Sequence, residues 1–117
     1  MKYIALIYAA EQTTPAPGSA NFGKMMGGYA HCNDTYHKDG VYVAGDALQP
    51  VATATTVRVR AGKVETMDGP FAETKEQLGG FYILDCETLD EAIRYAAMIP
   101  HAETGSVEIR PIMVFER

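Results

Sequence analysis

The sequence has few cysteines and no long apolar run, and each shortage excludes a class of protein. Its two cysteines, Cys32 and Cys86, form no Cys-x-x-Cys motif, so we expect reduced thiols in a cytosolic protein. The apolar run within the N-terminal stretch MKYIALIYAAEQ is too short for a secretion signal. No segment approaches the roughly 20 apolar residues that a membrane-spanning helix needs. We therefore expect a soluble, cytoplasmic protein with no membrane partner.

Positive charge is also scarce. Ten Lys and Arg residues stand against 15 Asp and Glu residues, which leaves a net charge of −5. Affinity for nucleic acid comes mainly from clustered Lys and Arg, so we expect no nucleic-acid partner. The sequence lacks a Gly-x-Gly-x-x-Gly motif after a strand, a P-loop and a Gly-x-Ser-x-Gly motif. No cofactor is predicted.

Length and composition fit a single domain over residues 1–117, with 47% hydrophobic and 21% charged residues. Apolar patterns predict four sheet strands. These strands begin near Lys2, Val41, Phe81 and Val107. Between the second and third of them, alternating residues that reverse at Ala61-Gly62 predict a hairpin, whose arginine face is polar.

Two helices are predicted between these strands. Ser19 suits the N-cap of the first helix and Gly40 suits its end. Three glycines within it each cost about 1 kcal/mol relative to alanine, so packing must hold this helix. The second helix begins with a Thr88–Glu91 capping box and ends at Pro100. Its predicted buried stripe consists of Leu89, Ala92, Ile93 and Ala96.

The order of these elements predicts the fold. Without the hairpin it is βαββαβ, the order of a ferredoxin-like α+β fold, in which both helices cover one face of a four-stranded antiparallel sheet. The strands at 2–8 and 81–86 are apolar on both faces, so the second face needs a cover too. We expect a second copy of the chain, stacked sheet to sheet, and hence a homodimer.

The first helix carries two histidines, His31 and His37. Their six-residue spacing separates them by about 240° around a helix, so they cannot share one ion, and no metal site is predicted. Asp34 lies three residues from each histidine, and two interpretations remain open. The carboxylate could orient an imidazole for acid–base chemistry, or the three side chains could form a polar helix face.

The stretch MDGPFAETKEQLGGFY, residues 67–82, contains the candidate site loop. Residues 68–70, Asp-Gly-Pro, have the composition of a tight turn, and Phe71 is expected to anchor the chain in an apolar surface. Carboxylates, among them Glu73, follow beside Lys75. These groups fit a loop with a general acid or base whose pKa the lysine lowers, and they fit equally a solvated connector.

The segment DGPFAETKEQLGGFYIL resembles the signature of the YciI-related proteins, specifically of their DGPF group. The resemblance covers nearly the whole chain, through YIALIY at the start, GDALQPVATATTVRVRAGKVETMDGPF in the middle, and TLDEAIRYAAMIP and GSVEIRPI near the end. It implies a dimeric α+β barrel of bacterial origin. It also implies a gene that is often beside, or joined to, that of an extracytoplasmic-function sigma factor.

The YciI branch of this family has a proposed His–Asp dyad with its histidine on the first helix. Aligning the segment VYVAGD places that histidine near Gly28 or Tyr29 of this chain. His31 is displaced from it by about 200–300° around the helix, so the dyad does not transfer. Tyr29 then has either a proton-donating or hydrogen-bonding role, or a role in core packing.

These patterns favour a small-molecule enzyme or binding protein with a cleft between the first helix, the sheet and the signature loop. We predict Asp68 and Glu73 as acid–base or ligand contacts, with Lys75 as their charge partner. The predicted pocket walls and substrate contacts are Tyr29, Asp46, Phe71 and Tyr82. The partner of this site is an unknown small molecule.

A second hypothesis assigns the protein to regulation. In it, the protein works with an extracytoplasmic-function sigma factor and binds it. The hairpin supplies the candidate contact, because Arg58 and Arg60 share its polar face and arginine is enriched in protein interfaces. The two hypotheses differ in the segment that makes contact, which is the signature loop in the first and the hairpin in the second.

Overall fold

A computed structural model describes residues 1–115 of the chain. The strands are β1 (Lys2–Ala9), β2 (Tyr42–Ala47), β3 (Thr55–Arg60), β4 (Lys63–Asp68), β5 (Gln77–Asp85) and β6 (Ser106–Pro111). The helices are α1 (Ala20–Lys38), α2 (Leu89–Ala96) and the short α3 (His101–Thr104). None of the helices in these residues is long and apolar enough to cross a membrane.

Four strands form one antiparallel sheet in the order β2-β5-β1-β6, and β3 pairs with β4 in a separate hairpin. Without the hairpin, this is the strand order of a ferredoxin-like fold. The predicted α+β ferredoxin-like fold with an inserted hairpin is therefore confirmed. Strand β5 begins at Gln77 rather than at the predicted Phe81, so the end of the signature loop belongs to the sheet.

Helix α1 begins and ends where its sequence predicts. The Ser19 hydroxyl oxygen accepts a hydrogen bond from the backbone N–H of Phe22 at 3.1 Å. After the last turn, Gly40 has a φ of +72°, a left-handed conformation that favours glycine. Cys32 and Tyr36 are fully buried against the sheet. This packing offsets the weak helix propensity of the glycines.

The predicted capping box begins α2, because the Thr88 hydroxyl oxygen accepts a hydrogen bond from the Glu91 N–H at 3.2 Å. The expectation that Pro100 ends this helix is wrong. Helix α2 ends at Ala96, and Pro100 stands at the start of α3. A proline fits there, since the first N–H groups of a helix have no intrahelical partner.

The predicted buried stripe of α2 is half correct. Ala92 and Ala96 are buried, but Leu89 and Ile93 are each 48% exposed. Tyr95 is buried instead, because the side of α2 that carries it packs against α1. The apolar surface of the large ring turns the helix toward α1 and leaves the two aliphatic side chains in solvent.

The two faces of the sheet differ in their cover. The core lies on the helix side and takes Tyr3, Ala5 and Ile7 from β1 and Tyr82 and Leu84 from β5. On the opposite face, strand alternation places a second apolar set of half-buried residues. They are Ile4, Leu6, Tyr8, Leu78, Phe81 and Ile83, and we call them the open sheet face.

The chain is flat and extended for its length. Its radius of gyration is 16.3 Å and its thinnest dimension is 19 Å. A compact domain of this length has a radius of gyration of about 13 Å. The difference arises because the open sheet face has no second layer in the described part of the chain, and because the hairpin projects from the body.

The hairpin formed by β3 and β4 projects into solvent. Ala61 and Gly62 form its turn with φ values of +51° and +76°, as a tight hairpin of matching twist requires. Val57 is 60% exposed and Val64 is 71% exposed. Arg58, on the other face, lies opposite Glu65. The predicted hairpin is thus confirmed, with a reversal at the predicted residues.

Candidate functional site

A cavity of about 550 Å³ lies on the helix side of the sheet, between α1 and the edge formed by β2 and β5. Its volume falls in the range of about 300–1,000 Å³ that is usual for small-molecule sites. Its walls are mainly apolar, with contributions from Ile7, Met25, Met26, Ala47 and Leu48. The cavity can therefore hold a ligand of moderate size with a largely apolar surface.

Two hydrogen-bonded pairs supply polar groups to this cavity. The Tyr29 hydroxyl lies 2.5 Å from Nδ1 of His101, and their rings are tilted at 46°. The Tyr82 hydroxyl donates to Oδ1 of Asn33 at 3.0 Å. All four residues line the cavity. A few convergent polar groups on apolar walls are what fix the orientation of a ligand in such sites.

Burial keeps these groups uncharged. It lowers the pKa of His101 below its ordinary value of 6.5. It also raises the pKa of Tyr29, and the nearby Tyr82 and Cys32 raise it further. Burial, followed by Cys32 and Tyr42, raises the pKa of Tyr82 to about 12. At neutral pH an uncharged hydroxyl therefore meets a neutral imidazole.

Tyr29 and His101 meet because the residues that precede them pack closely against each other. Gly28 precedes Tyr29, and Pro100 precedes His101. A Cβ atom on Gly28 would lie 2.7 Å from Cγ of Pro100, which is too short for any side chain. The lack of a side chain at Gly28 therefore permits this close packing. Helix α1 passes near enough to the start of α3 for the two rings to meet.

A tyrosine cluster fixes the other end of α1. The Tyr36 hydroxyl donates to the Tyr95 carbonyl at 2.6 Å, and the Tyr95 hydroxyl donates to Oδ2 of Asp39 at 2.7 Å. The Cys32 thiol donates to the Met98 carbonyl at 3.3 Å. These bonds tie α1 to α2 and to the segment that leads into α3.

The chain is similar to known proteins over almost its whole length. A family model described as the YCII-related domain matches residues 1–116. The chain belongs to the YCII-related domain family. An uncharacterized protein of Rhizobium meliloti (strain 1021) is 39% identical over 118 residues, which cover 99% of this YCII-related chain and 95% of the relative.

The YCII-related chain is also similar to a solved structure. This is the 5-chloro-2-hydroxyhydroquinone dehydrochlorinase of Burkholderia phenoliruptrix AC1100, in complex with 2,5-dihydroxybenzoquinone. The identity is 14%, the match covers 97% of this chain and 94% of that chain, and the TM-score is 0.48. The activity and the ligand are those of the Burkholderia protein.

Three of the predicted pocket residues border the cavity. Tyr29 and Tyr82 face it directly. Asp46 borders it as well, but β2 and β5 pair Asp46 with Phe81, and strand alternation turns both side chains toward the open sheet face. The residue opposite Tyr82 on the cavity side is Gly45, where a Cβ would lie 2.6 Å from the tyrosine ring.

The residues predicted in the signature loop lie outside this cavity. Asp68, Glu73 and Lys75 are exposed, and Phe71 is 74% exposed rather than anchored in an apolar surface. Glu73 borders a second, shallow depression of about 290 Å³ beside Thr74 and Gln77. The structure therefore does not bring the three charged residues together with Tyr29 and Tyr82, and their acid–base role stays a prediction.

Hydrogen bonds nevertheless join the loop to the edge of the cavity. Gln77 Oε1 accepts from the Glu11 backbone N–H at 3.1 Å, and Gln77 Nε2 donates to the Thr74 carbonyl at 2.8 Å. Glu11 lines the cavity, and its Oε2 accepts from the Val51 N–H at 2.9 Å. The loop and the cavity are thus neighbours that share Glu11 and Gln77 as a connection.

His101 and Asn33 are the site residues that sequence reasoning missed. The sequence pattern indicated no site role for Asn33, because an Asn between two histidines of a helix is typical of a polar helix face. His101 directly follows the proline expected to end α2, and its position in a second short helix hid it. His37, which sequence reasoning considered, lies outside the cavity, where it donates to the Asn33 carbonyl at 2.7 Å and stacks on Tyr42.

The third histidine, His31, also lies on helix α1. His31 and Asp34 are exposed on α1. No group of three or more His, Cys, Asp or Glu side chains in residues 1–115 is arranged to hold a metal ion. Cys32 and Cys86 are both free and buried, and burial raises the pKa of each thiol.

The shifted pKa values predict how stability varies with pH. Because the pKa of His101 is lowered by folding, its contribution to the free energy of unfolding is present above pH 6.5 and is lost as the pH falls below it. Because the pKa values of Tyr29, Tyr36 and Tyr82 are raised, their contribution is present below pH 10 and is lost as the pH rises above it. Urea unfolding at a series of pH values measures the loss of stability on the acid side and on the alkaline side.

The loss of stability at acid pH is tested by replacing His101, with His37 of α1 as the matched position. Replacing His101 with Gln should make the acid-side slope shallower, by at most about 1.4 kcal/mol per pH unit for the one titrating group. His37→Gln makes the same change at an exposed position of α1 and controls for the substitution itself. Equal slopes in the His101→Gln variant and the wild type would show that His101 does not titrate as described.

Proposed function

We propose that this YCII-related protein is a homodimeric small-molecule enzyme or binding protein whose ligand occupies the cavity between α1 and the β2–β5 edge. The observation that carries the proposal is the meeting of Tyr29 with His101 and of Tyr82 with Asn33 on otherwise apolar walls. Titratable side chains with shifted pKa values inside a cleft are typical of functional sites.

The signature loop has a place in this proposal at the outer end of the cavity. Asp68 and Glu73, with Lys75 as their charge partner, would act as acid–base or ligand contacts, and Phe71 would add an apolar contact. The connection through Gln77 and Glu11 supports this role, because a ligand that extends past Glu11 would approach the loop. The assignment to the DGPF group rests on the same loop signature.

A thermal-shift screen against a metabolite library tests where the ligand binds. The variant Ala47→Phe places a large ring at a cavity-lining position, so ligands that stabilise the wild type should lose at least about tenfold in affinity for it. Ala52→Phe makes the same change outside the cavity and should bind as the wild type does. Asp68→Ala reports on the loop.

The three variants separate the two parts of the proposal. A ligand lost in Ala47→Phe and retained in Asp68→Ala would assign binding to the cavity without the loop. A ligand lost in both would include the loop. A ligand whose affinity is unchanged in Ala47→Phe contradicts the cavity as the site.

The homodimer is the second part of the proposal. The six apolar residues of the open sheet face are half-buried in the single chain, and they lie on the side away from the cavity. Charged residues border them on β6, where Glu108 pairs with Leu6 and Arg110 with Ile4. A second copy packed on this face would remove a large apolar patch from water and leave the cavity accessible.

Light scattering coupled to size exclusion tests this association. The wild type should elute as a dimer at micromolar concentration, and Leu6→Asp should elute as a monomer, because it places a charge in the centre of the proposed interface. Leu89→Asp is the matched control on the exposed side of α2 and should remain dimeric. A monomeric wild type would contradict the proposal.

A regulatory role with an extracytoplasmic-function sigma factor is the alternative proposal, and the projecting hairpin is the observation that favours it. Arg58 and Arg60 are exposed there and available to a partner. If it holds, co-purification with the sigma factor should weaken at least about tenfold in the Arg58→Ala, Arg60→Ala double variant. It should survive Asp68→Ala. Equal recovery with the double variant and the wild type would rule out the hairpin as the contact.

A further inference from the structure

We infer that Tyr29 and His101 form a proton-transfer pair that acts as a general base on an uncharged or cationic ligand. The inference deepens the proposed function and rests on it, since the ligand must occupy the same cavity. It joins a residue of α1 to a residue of α3 that are 72 positions apart in the chain. Neither residue was assigned a base role from sequence.

The geometry of the pair is that of a relay. The Tyr29 oxygen lies 2.5 Å from Nδ1 of His101, and both side chains line the cavity. In the proposed pair the hydroxyl proton is directed at Nδ1, and the backbone of His101 contributes a further hydrogen bond to the Tyr29 oxygen. One lone pair of that oxygen then remains to accept a proton from the ligand side. The imidazole then carries its own proton on Nε2.

Packing holds the pair in one arrangement. The contact between Gly28 and Pro100 fixes the distance between α1 and the start of α3. The Cys32 thiol bonded to the Met98 carbonyl holds the same segment two residues earlier. A base whose position is set by neighbouring backbone needs little reorganisation during proton transfer.

The surroundings of His101 favour the neutral imidazole that a base requires. The other titratable residues that line the cavity with His101 are Tyr29 on α1, Tyr82 on β5, Glu11 after β1 and Asp46 on β2, whose side chain turns to the open sheet face. On β6, Val107 and Ile109 are the residues turned to the helix side, and the charged residues of that strand face the other way. Burial lowers the pKa of His101, so the base form is populated at neutral pH.

The charge of the lining restricts the ligand. The cavity walls in the described part of the chain include no Lys or Arg, and Glu11 contributes a carboxylate. A carboxylate or phosphate ligand would lose its hydration without gaining a cation. An uncharged ligand avoids this cost, and a cationic ligand gains from Glu11. The site therefore selects against anions.

Proton transfer through the pair balances without a cofactor or oxidant. The ligand proton moves to the Tyr29 oxygen while the Tyr29 hydroxyl proton moves to Nδ1 of His101. The electron pair of the broken bond stays on the ligand, and the imidazole becomes an imidazolium. Return of the proton to the ligand or to water restores the pair.

The elimination of 5-nitrobenzisoxazole tests the pair directly, because this probe is uncharged, aromatic and opened by a base alone. Loss of its C3 proton forms a nitrile and breaks the N–O bond, and the released phenolate is measured by absorbance. We expect a saturable rate with the dimer, reduced about 100-fold in His101→Gln and in Tyr29→Phe. His37→Gln is the matched control and should keep the wild-type rate.

The pH profile separates a base from a structural role. The rate should rise as the pH increases through the pKa of His101, which lies below 6.5, and then level off. NMR of nitrogen-labelled histidine in the wild type should show a neutral ring with its proton on Nε2 at pH 7. A ring protonated on Nδ1, or a wild-type rate in either variant, would overturn the inference.

Three inhibitors of the same shape test which ligand charge the cavity accepts. They are naphthalene-2-carboxamide, which is uncharged, the corresponding amidine, which is cationic, and the corresponding carboxylate, which is anionic. The amide and the amidine should inhibit the elimination, and the carboxylate should inhibit at least about tenfold less. Equal inhibition by the carboxylate would overturn the selection against anions.

If the rate of the elimination does not saturate and the probe gives no thermal stabilisation, the cavity itself fails as a site. Saturation with unchanged variants would instead overturn the pair alone.

Discussion

The position of helix α1 depends on one buried hydrogen bond, from the Tyr36 hydroxyl to the Tyr95 carbonyl at 2.6 Å. Tyr36 is fully buried, and its ring stands edge-on to those of Tyr82 and Tyr95, with centroids 5.1 and 5.6 Å away. An unpaired buried hydroxyl costs about 1–3 kcal/mol, so a rotation of α1 that broke this bond would be destabilising. A glycine-rich helix of low intrinsic stability is thereby held in a defined place.

The cavity follows from that placement. With Tyr36 fixed, the N-terminal half of α1 lines the cavity through Met25, Met26 and Tyr29, and Gly28 meets Pro100. The next residue on each side then completes the Tyr29–His101 contact. The same bond that stabilises the core thus sets the distance between the two groups that carry the proposed chemistry. Gly28 and Pro100 carry this constraint from one helix to the other, because they are in direct contact.

Local signals predicted the elements of this fold well and the site less well. Helix caps and tight turns depend on neighbours in sequence, so they can be predicted without tertiary structure. The Ser19 and Thr88 caps and the Ala61-Gly62 turn are examples. The buried face of α2 was half wrong, because Tyr95 packs on a helix that lies far away in sequence. Tyr29 was named as a wall, but its partner on α3 was not.

The sequence by itself determined the βαββαβ order, the hairpin and the family, since periodicity, caps and a loop signature are carried by nearby residues. Only the tertiary structure decided which side chains share the cavity. It turned Asp46 away through strand alternation, left Phe71 in solvent and brought His101 to Tyr29. The physical reason is that a site is made of contacts between distant segments, and their distances depend on how helices and strands pack.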